Sequence, residues 1–165
     1  MSATDSTPDR LTHLTAAGNV HMVEVGEKAT TLRTAAAEGV ILMAPATRAL
    51  LFGNGLPKGD ALAAARIAGI MALKRTAELI PLCHPVATTG ARIDISEDAD
   101  VGGARVRCTV RCAGQTGVEM EALTGVTVAL LTLYDMLKGV QKDLKIENVR
   151  LLEKTGGRSG EYRAE

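Results

Sequence analysis

Apolar and polar positions alternate most plainly between Gly103 and Gly114. There Val106, Cys108, Val110 and Cys112 interleave with Arg105, Arg107, Thr109 and Arg111, which is the period of two of a half-buried strand. "ATTGARIDISED" (87–98) reads as a partner strand, joined to it through the turn "DADVGG". A helical period governs two longer stretches. Leu62, Gly69, Leu73 and Ile80, with Ala65 and Ala77 beside them, fall near one face of a helix that Asp60 caps and Pro81 ends. Alanines and Gly69 fill much of the rest and permit close approach of another helix. A second long helix is expected from about Glu121 to Lys142. Nearer the start, "HMVEVG" (21–26) and "GVILMA" (39–44) read as extended segments around "ATTLRTAAAEG". A short helix at "ATRALLFGN" and a loop at "GNGLPKGD" follow. "IENVRLLEK" is a last strand, and "TGGRSGEYRAE" a glycine-rich tail.

Helix, hairpin, helix, strand after an initial strand is the split β-α-β order. The expected fold class is therefore α+β: a ferredoxin-like antiparallel sheet with two long helices packed on one face. Residues 1–12 are expected to be a disordered arm, and 13–165 a single domain.

Composition narrows the partners. Nineteen basic residues balance nineteen acidic ones among 165, so no net field favours nucleic acid or an anionic membrane. Phe52, Tyr134 and Tyr162 are the only aromatic residues, and there is no Trp, which argues against base-stacking platforms. A core of Ala, Val, Leu, Ile and Gly suits close packing that continues into a homo-oligomer. The polar start "MSATDSTPDR" lacks the apolar run of a secretory signal. The apolar stretch from Ala122 to Tyr134 is shorter than the ~18 residues of a membrane span. A soluble, cytoplasmic protein is expected. The cysteines are odd in number. Cys108 and Cys112 lie ~13 Å apart along a strand, too far to bridge, and read as small core residues.

Several residues can carry chemistry. Asp135 and Lys138 stand at i, i+3, with Lys142 one turn on, and share a helix face. They form either a solvated surface pair or the wall of a pocket, because Thr124, Val128 and Leu131 upstream make the same face largely apolar. Lys58 before a helix start, and Lys154 with Arg158 among glycines, suit an anion. The tail is not a P-loop, since the "GK[ST]" ending is absent. Glu119 and Glu121 share a face if extended and separate if helical. "ELIPLCHP" (78–85) sets Cys83 beside His84 between two prolines. Adjacent residues cannot easily aim at one metal ion, and His13 and His21 stand in no metal-binding spacing, so no metal is expected. A nucleophile and base next to each other in sequence is unusual as well. A rigid corner that fixes the direction of a histidine ring is left.

Together "KGD", "ARIAGIMALKRTAELIPLCHP", "TGVEMEALTGVTVALLTLYDMLK" and "VRLLEKTGGRSG", with "LTHLTAAGNVHMVEVG" near the start, resemble the MoaC family, the cyclic pyranopterin monophosphate synthases of molybdenum cofactor biosynthesis. The likeness spans roughly residues 11–163. It implies a lyase that rearranges cyclised guanosine triphosphate and expels pyrophosphate. It places the general acid/base on Asp135, with Lys58 and Lys138 beside it. It puts substrate contacts on Leu82, Cys83, His84, Met120 and Glu121, with Glu119 adjacent, and triphosphate contacts on Arg33 and Lys154, assisted by His21. It implies a hexamer, a trimer of dimers, with the pocket between subunits. No organic cofactor is called for, and any Mg²⁺ would arrive on the triphosphate. Clustered cations are expected to lower the pKa of Lys138 or Lys58. Gln115, Leu137, Gly139 and Arg158 depart from the commoner family pattern. The rival reading is a non-catalytic guanine-nucleotide-binding oligomer.

Overall fold

The computed structural model describes residues 17–53, 55–157 and 160–165. The expected arm at 1–12 lies outside them, as do His13 and Arg158. Strand β1 (Thr31–Leu42) is followed by helices α1 (Pro45–Phe52), α2 (Ala61–Leu73) and α3 (Thr76–Leu79). Strands β2 (Thr88–Asp98) and β3 (Gly103–Gly114) precede helix α4 (Glu119–Leu137), and β4 (Lys145–Thr155) and the short β5 (Tyr162–Arg163) close the chain. The five strands form one antiparallel sheet in the order β2-β3-β1-β4-β5. The first four strands have the split β-α-β arrangement, so the expected fold class holds.

β1 differs from expectation. The Thr/Ala-rich stretch between the two expected segments is itself the central strand, whereas 21–26 forms no regular element. Its centre is buried on both faces, with Ala35, Ala36 and Ala37 at 0% exposure. A strand covered on both sides has no alternation to reveal it. On the face away from the helices, Glu38 is clamped by Arg105 Nη1 at 3.0 Å and by Arg150 Nη2 at 3.0 Å. Arg105 also binds Asp98 at 2.7 Å, so it belongs to a half-buried network and not to a simply solvated sheet face.

The first long helix is also divided. Asp60 caps it as expected, its Oδ1 accepting from Ala63 N at 2.9 Å. It then stops at Leu73. The Arg75 N–H tightens onto Ala72 O, and the Thr76 hydroxyl donates to Leu73 O at 2.9 Å. One short turn, α3, follows before Ile80 adopts the extended backbone that Pro81 demands.

α4 starts two residues earlier and ends five residues earlier than expected. Lys138 caps it, so Lys142 does not continue its charged stripe. At 19 residues it is long and apolar enough to span a membrane by composition, contrary to the shorter run expected. Here it is the core helix: Ala122, Val126, Ala129, Leu130, Leu133 and Leu137 are fully buried. α2 runs antiparallel to it. A Cβ added to Gly69 would come within 2.7 Å of Gly125 O and 3.2 Å of Ala129 Cβ, so only glycine permits this close helix approach. Cys108 and Cys112 are buried and free, and burial pushes the Cys108 thiol up to about 12.

Candidate active site

The corner after α3 and the start of α4 face each other across a groove. The turn closes with Cys83 N donating to Ile80 O at 3.1 Å. Leu82, Cys83 and His84 then line a cavity of ≈ 380 Å³ with Glu119, Met120 and Glu121, and Val23, Val25 and Lys28 form its other wall. The "PLCHP" and "TGVEMEAL" segments therefore meet. Both glutamates are helical, yet both line this cavity. Glu121 is buried, at 4% exposure. Burial raises its carboxyl above the ordinary range, and the negative charge of Glu119 adds to the effect. Burial, with Glu121 adding, also pushes the Cys83 thiol up. That is the wrong direction for a thiolate nucleophile.

A second cavity of ≈ 220 Å³ adjoins the first and shares Lys28, Thr116, Gly117 and Glu119 with it. Its further lining includes Arg33, Gln115, Lys154 and Gly156. Lys154 Nζ lies 3.0 Å from Glu119 Oε1. Arg33 does more than offer charge: its Nε donates to Gly114 O at 2.9 Å and its Nη2 to Gln115 O at 3.0 Å. It thus staples the loop that opens α4. Gly157 has φ +79°, and a Cβ there would meet Arg33 Nη1 at 2.0 Å, so glycine is required beside the guanidinium. Gln115 Nε2 donates to Gly26 O at 2.9 Å and ties down the segment that carries Lys28. Lys28 was not foreseen. It sits in an irregular stretch before β1, where no periodicity marks it. His21 is exposed on the segment leading to Val23 and lines neither cavity.

The other candidates gather elsewhere. Lys138 Nζ lies 2.6 Å from Asp135 Oδ1. Lys58 Nζ donates to the Asp135 carbonyl oxygen at 2.8 Å and lies 3.5 Å from Oδ2. The antiparallel helices explain the meeting, because the loop before α2 ends beside the last turn of α4. The hydrogen bond and charge of Lys138, with Lys58 adding, hold the Asp135 carboxyl below its ordinary range. Lys138 moves up, because its hydrogen bond to Asp135 outweighs other influences. The expected lowering of the Lys138 pKa is thus reversed, since a carboxylate is its immediate neighbour. All three side chains are about half exposed. Close by, the Tyr134 hydroxyl donates to Lys142 O at 2.9 Å and pins the chain after α4.

The two clusters stand at opposite ends of α4. Sixteen residues separate Glu119 from Asp135, which at 1.5 Å per residue is about 24 Å. Among the described residues, neither cavity that the groove residues line includes Lys58, Asp135 or Lys138.

Comparison with known proteins agrees with the segments that line these clusters. Curated relatives called cyclic pyranopterin monophosphate synthase include that of Chloroflexus aggregans, 54% identical over 157 residues, covering 95% of each chain. That of Parvibaculum lavamentivorans is 54% identical over 155 residues, covering 94% of this chain and 97% of its own. That of Dinoroseobacter shibae is 52% identical over 155 residues, covering 94% and 98%. The MoaC family profile matches residues 22–157, a span that holds both ends of α4, and the chain belongs to the MoaC family.

Proposed function

We propose that this chain is a cyclic pyranopterin monophosphate synthase. It is a lyase that converts (8S)-3′,8-cyclo-7,8-dihydroguanosine 5′-triphosphate to cyclic pyranopterin monophosphate and releases pyrophosphate, in molybdenum cofactor biosynthesis. Family membership over most of the chain supports the reaction. The observation that carries the arrangement of the site is the distance of about 24 Å between the ends of α4. A small nucleotide cannot touch both ends of one helix. The complete site is therefore composite: the groove of one subunit is covered by the Asp135 end of another. A hexamer built as a trimer of dimers meets that need.

The groove divides the substrate by chemistry. Lys28, Arg33 and Lys154 offer positive charge to the departing pyrophosphate. His84, Met120 and Glu121 hold the ring system, and the Glu121 carboxyl, whose pKa burial raises, donates a hydrogen bond to a purine nitrogen or oxygen when it is protonated. Opening the imidazole ring, building the pyrazine ring and closing the cyclic phosphate all move protons. Asp135, held below its ordinary range, accepts one, and Lys138, held above its own, donates, with Lys58 beside them. Organic cofactor chemistry is not needed for these transfers, and Mg²⁺ would enter with the triphosphate.

The test is to supply the cyclised nucleotide and follow pyrophosphate and the cyclic monophosphate. Glu121→Gln and Asp135→Asn homo-oligomers should each be inactive. After unfolding and refolding them together, roughly a quarter of wild-type activity should return, as expected for sites drawing one half from each chain. Inactivity of the mixture would rule out the shared site, and absence of product from the wild type would rule out the reaction.

A further inference from the structure

We infer that Glu119 is an internal counter-anion of the phosphate end of the groove. In the free protein its carboxylate occupies Lys154, and pyrophosphate must displace it in order to bind. The inference rests on the function proposed above, because pyrophosphate is the anion that reaction releases.

Three observations lead here. First, the Lys154–Glu119 pair joins β4 to the first turn of α4 at 3.0 Å, with side-chain exposures of 29% and 27%. It is better shielded than the exposed pairs at Asp135, so water weakens it less. Second, the carboxylate is seated in place. The carboxylate lies over Gly117, which presents no side chain to it. The helix N-terminus favours its negative charge. Third, Glu119 lines both cavities and stands at their junction. Among the described residues neither Lys28 nor Arg33 has a carboxylate within ion-pair distance, so Lys154 is the cation in this group that is already neutralised.

A cavity with every cation free would hold pyrophosphate tightly and release it slowly. A carboxylate that returns to Lys154 competes with the product and helps to expel it. Binding then exchanges one anion for another on the same ammonium, with no bond made or broken.

Calorimetric titration of the full-length protein with inorganic pyrophosphate tests this. Glu119→Gln should bind pyrophosphate about threefold to tenfold more tightly than the wild type. Lys154→Met should bind it more weakly, and adding Glu119→Gln to Lys154→Met should bring no gain. Unchanged or weaker binding by Glu119→Gln overturns the inference. An equal gain in the Lys154→Met background overturns it too, because the effect would then be a general loss of negative charge. If Glu119→Gln does not fold, Glu119→Asp takes its place. Its carboxylate stops one methylene short of Lys154, so it must still bind pyrophosphate more tightly than the wild type. Turnover separates the two readings. Product formation with no gain from the variants removes the counter-anion alone, and a gain without product removes the proposed reaction alone.

Discussion

The two ends of α4 carry the same kind of acid and treat it in opposite ways. Glu121 faces the "PLCHP" corner, cut off from water and without an ammonium partner among the described residues, and its carboxyl is pushed up. Asp135 stands in the open with two lysines against it, and its carboxyl is pushed down. Burial decides the first and charge the second. One end raises the pKa of a buried carboxyl, and the other lowers that of an exposed one set between two ammonium groups. The Glu121 end is lined by the corner and by the segment before β1, whereas the side chains of the Asp135 end are about half exposed.

The largest expected effect separates the ends functionally. Asp135→Asn should lower turnover by about 10²- to 10⁴-fold, while pyrophosphate affinity at the far end stays within about twofold of wild type, well under the tenfold that 1.4 kcal/mol would give. Loss of both would mean that the ends are not independent. Next comes the contact that holds Lys58 beside Asp135. Gly69→Val forces a side chain against Gly125 O and Ile93 and should cost about 2 kcal/mol. That is a fall of roughly 4–8 °C in Tm, read by thermal melting, and turnover should fall with it as α2 is pushed off α4.

Smaller effects address the electrostatics of each end. Glu121 has a raised carboxyl pKa in the native state, so above the ordinary glutamate range the native protein holds a proton that the unfolded chain has lost. Stability must then fall as pH rises through that window. Glu121→Gln removes the fall. Denaturant titrations should show the variant gaining on the wild type as pH rises from the ordinary glutamate value, by at most about 1.4 kcal/mol per pH unit, with no gain in more acid solution. The smallest effect is at the open end. Lys138 should hold its proton above the usual lysine range in the wild type and return toward that range in Asp135→Asn, as read by NMR titration of its side chain.

The strands with one wet face could be read directly from alternation, as β2 and β3 were, and so could the cap at Asp60. β1 could not, because burial on both faces removes the alternation and alanine carries little strand preference. The break after Leu73 was hidden for a related reason. No proline or glycine marks it, and a threonine hydroxyl does the work at Thr76. α4 was extended too far because Val140 continues an apolar rhythm that the backbone abandons at Lys138.

At the site, motif resemblance brought together the residues of each cluster. The likeness implied a pocket between subunits, and the separation of Glu119 from Asp135 along one helix could have been counted from the sequence beside it. Lys28 was missed because an isolated lysine in an irregular segment looks like any solvated one. Only the fold shows that Gln115 holds its segment against the groove.

The scarcity of aromatic side chains has a spectroscopic consequence. With no tryptophan in the chain, intrinsic emission comes from Tyr134 and Tyr162 alone. The first neighbours Asp135 and is bonded to Lys142 O, and the second pairs in register with Lys154. Each cluster thus has its own fluorophore, and Tyr134→Phe or Tyr162→Phe leaves the remaining signal to report on one end at a time.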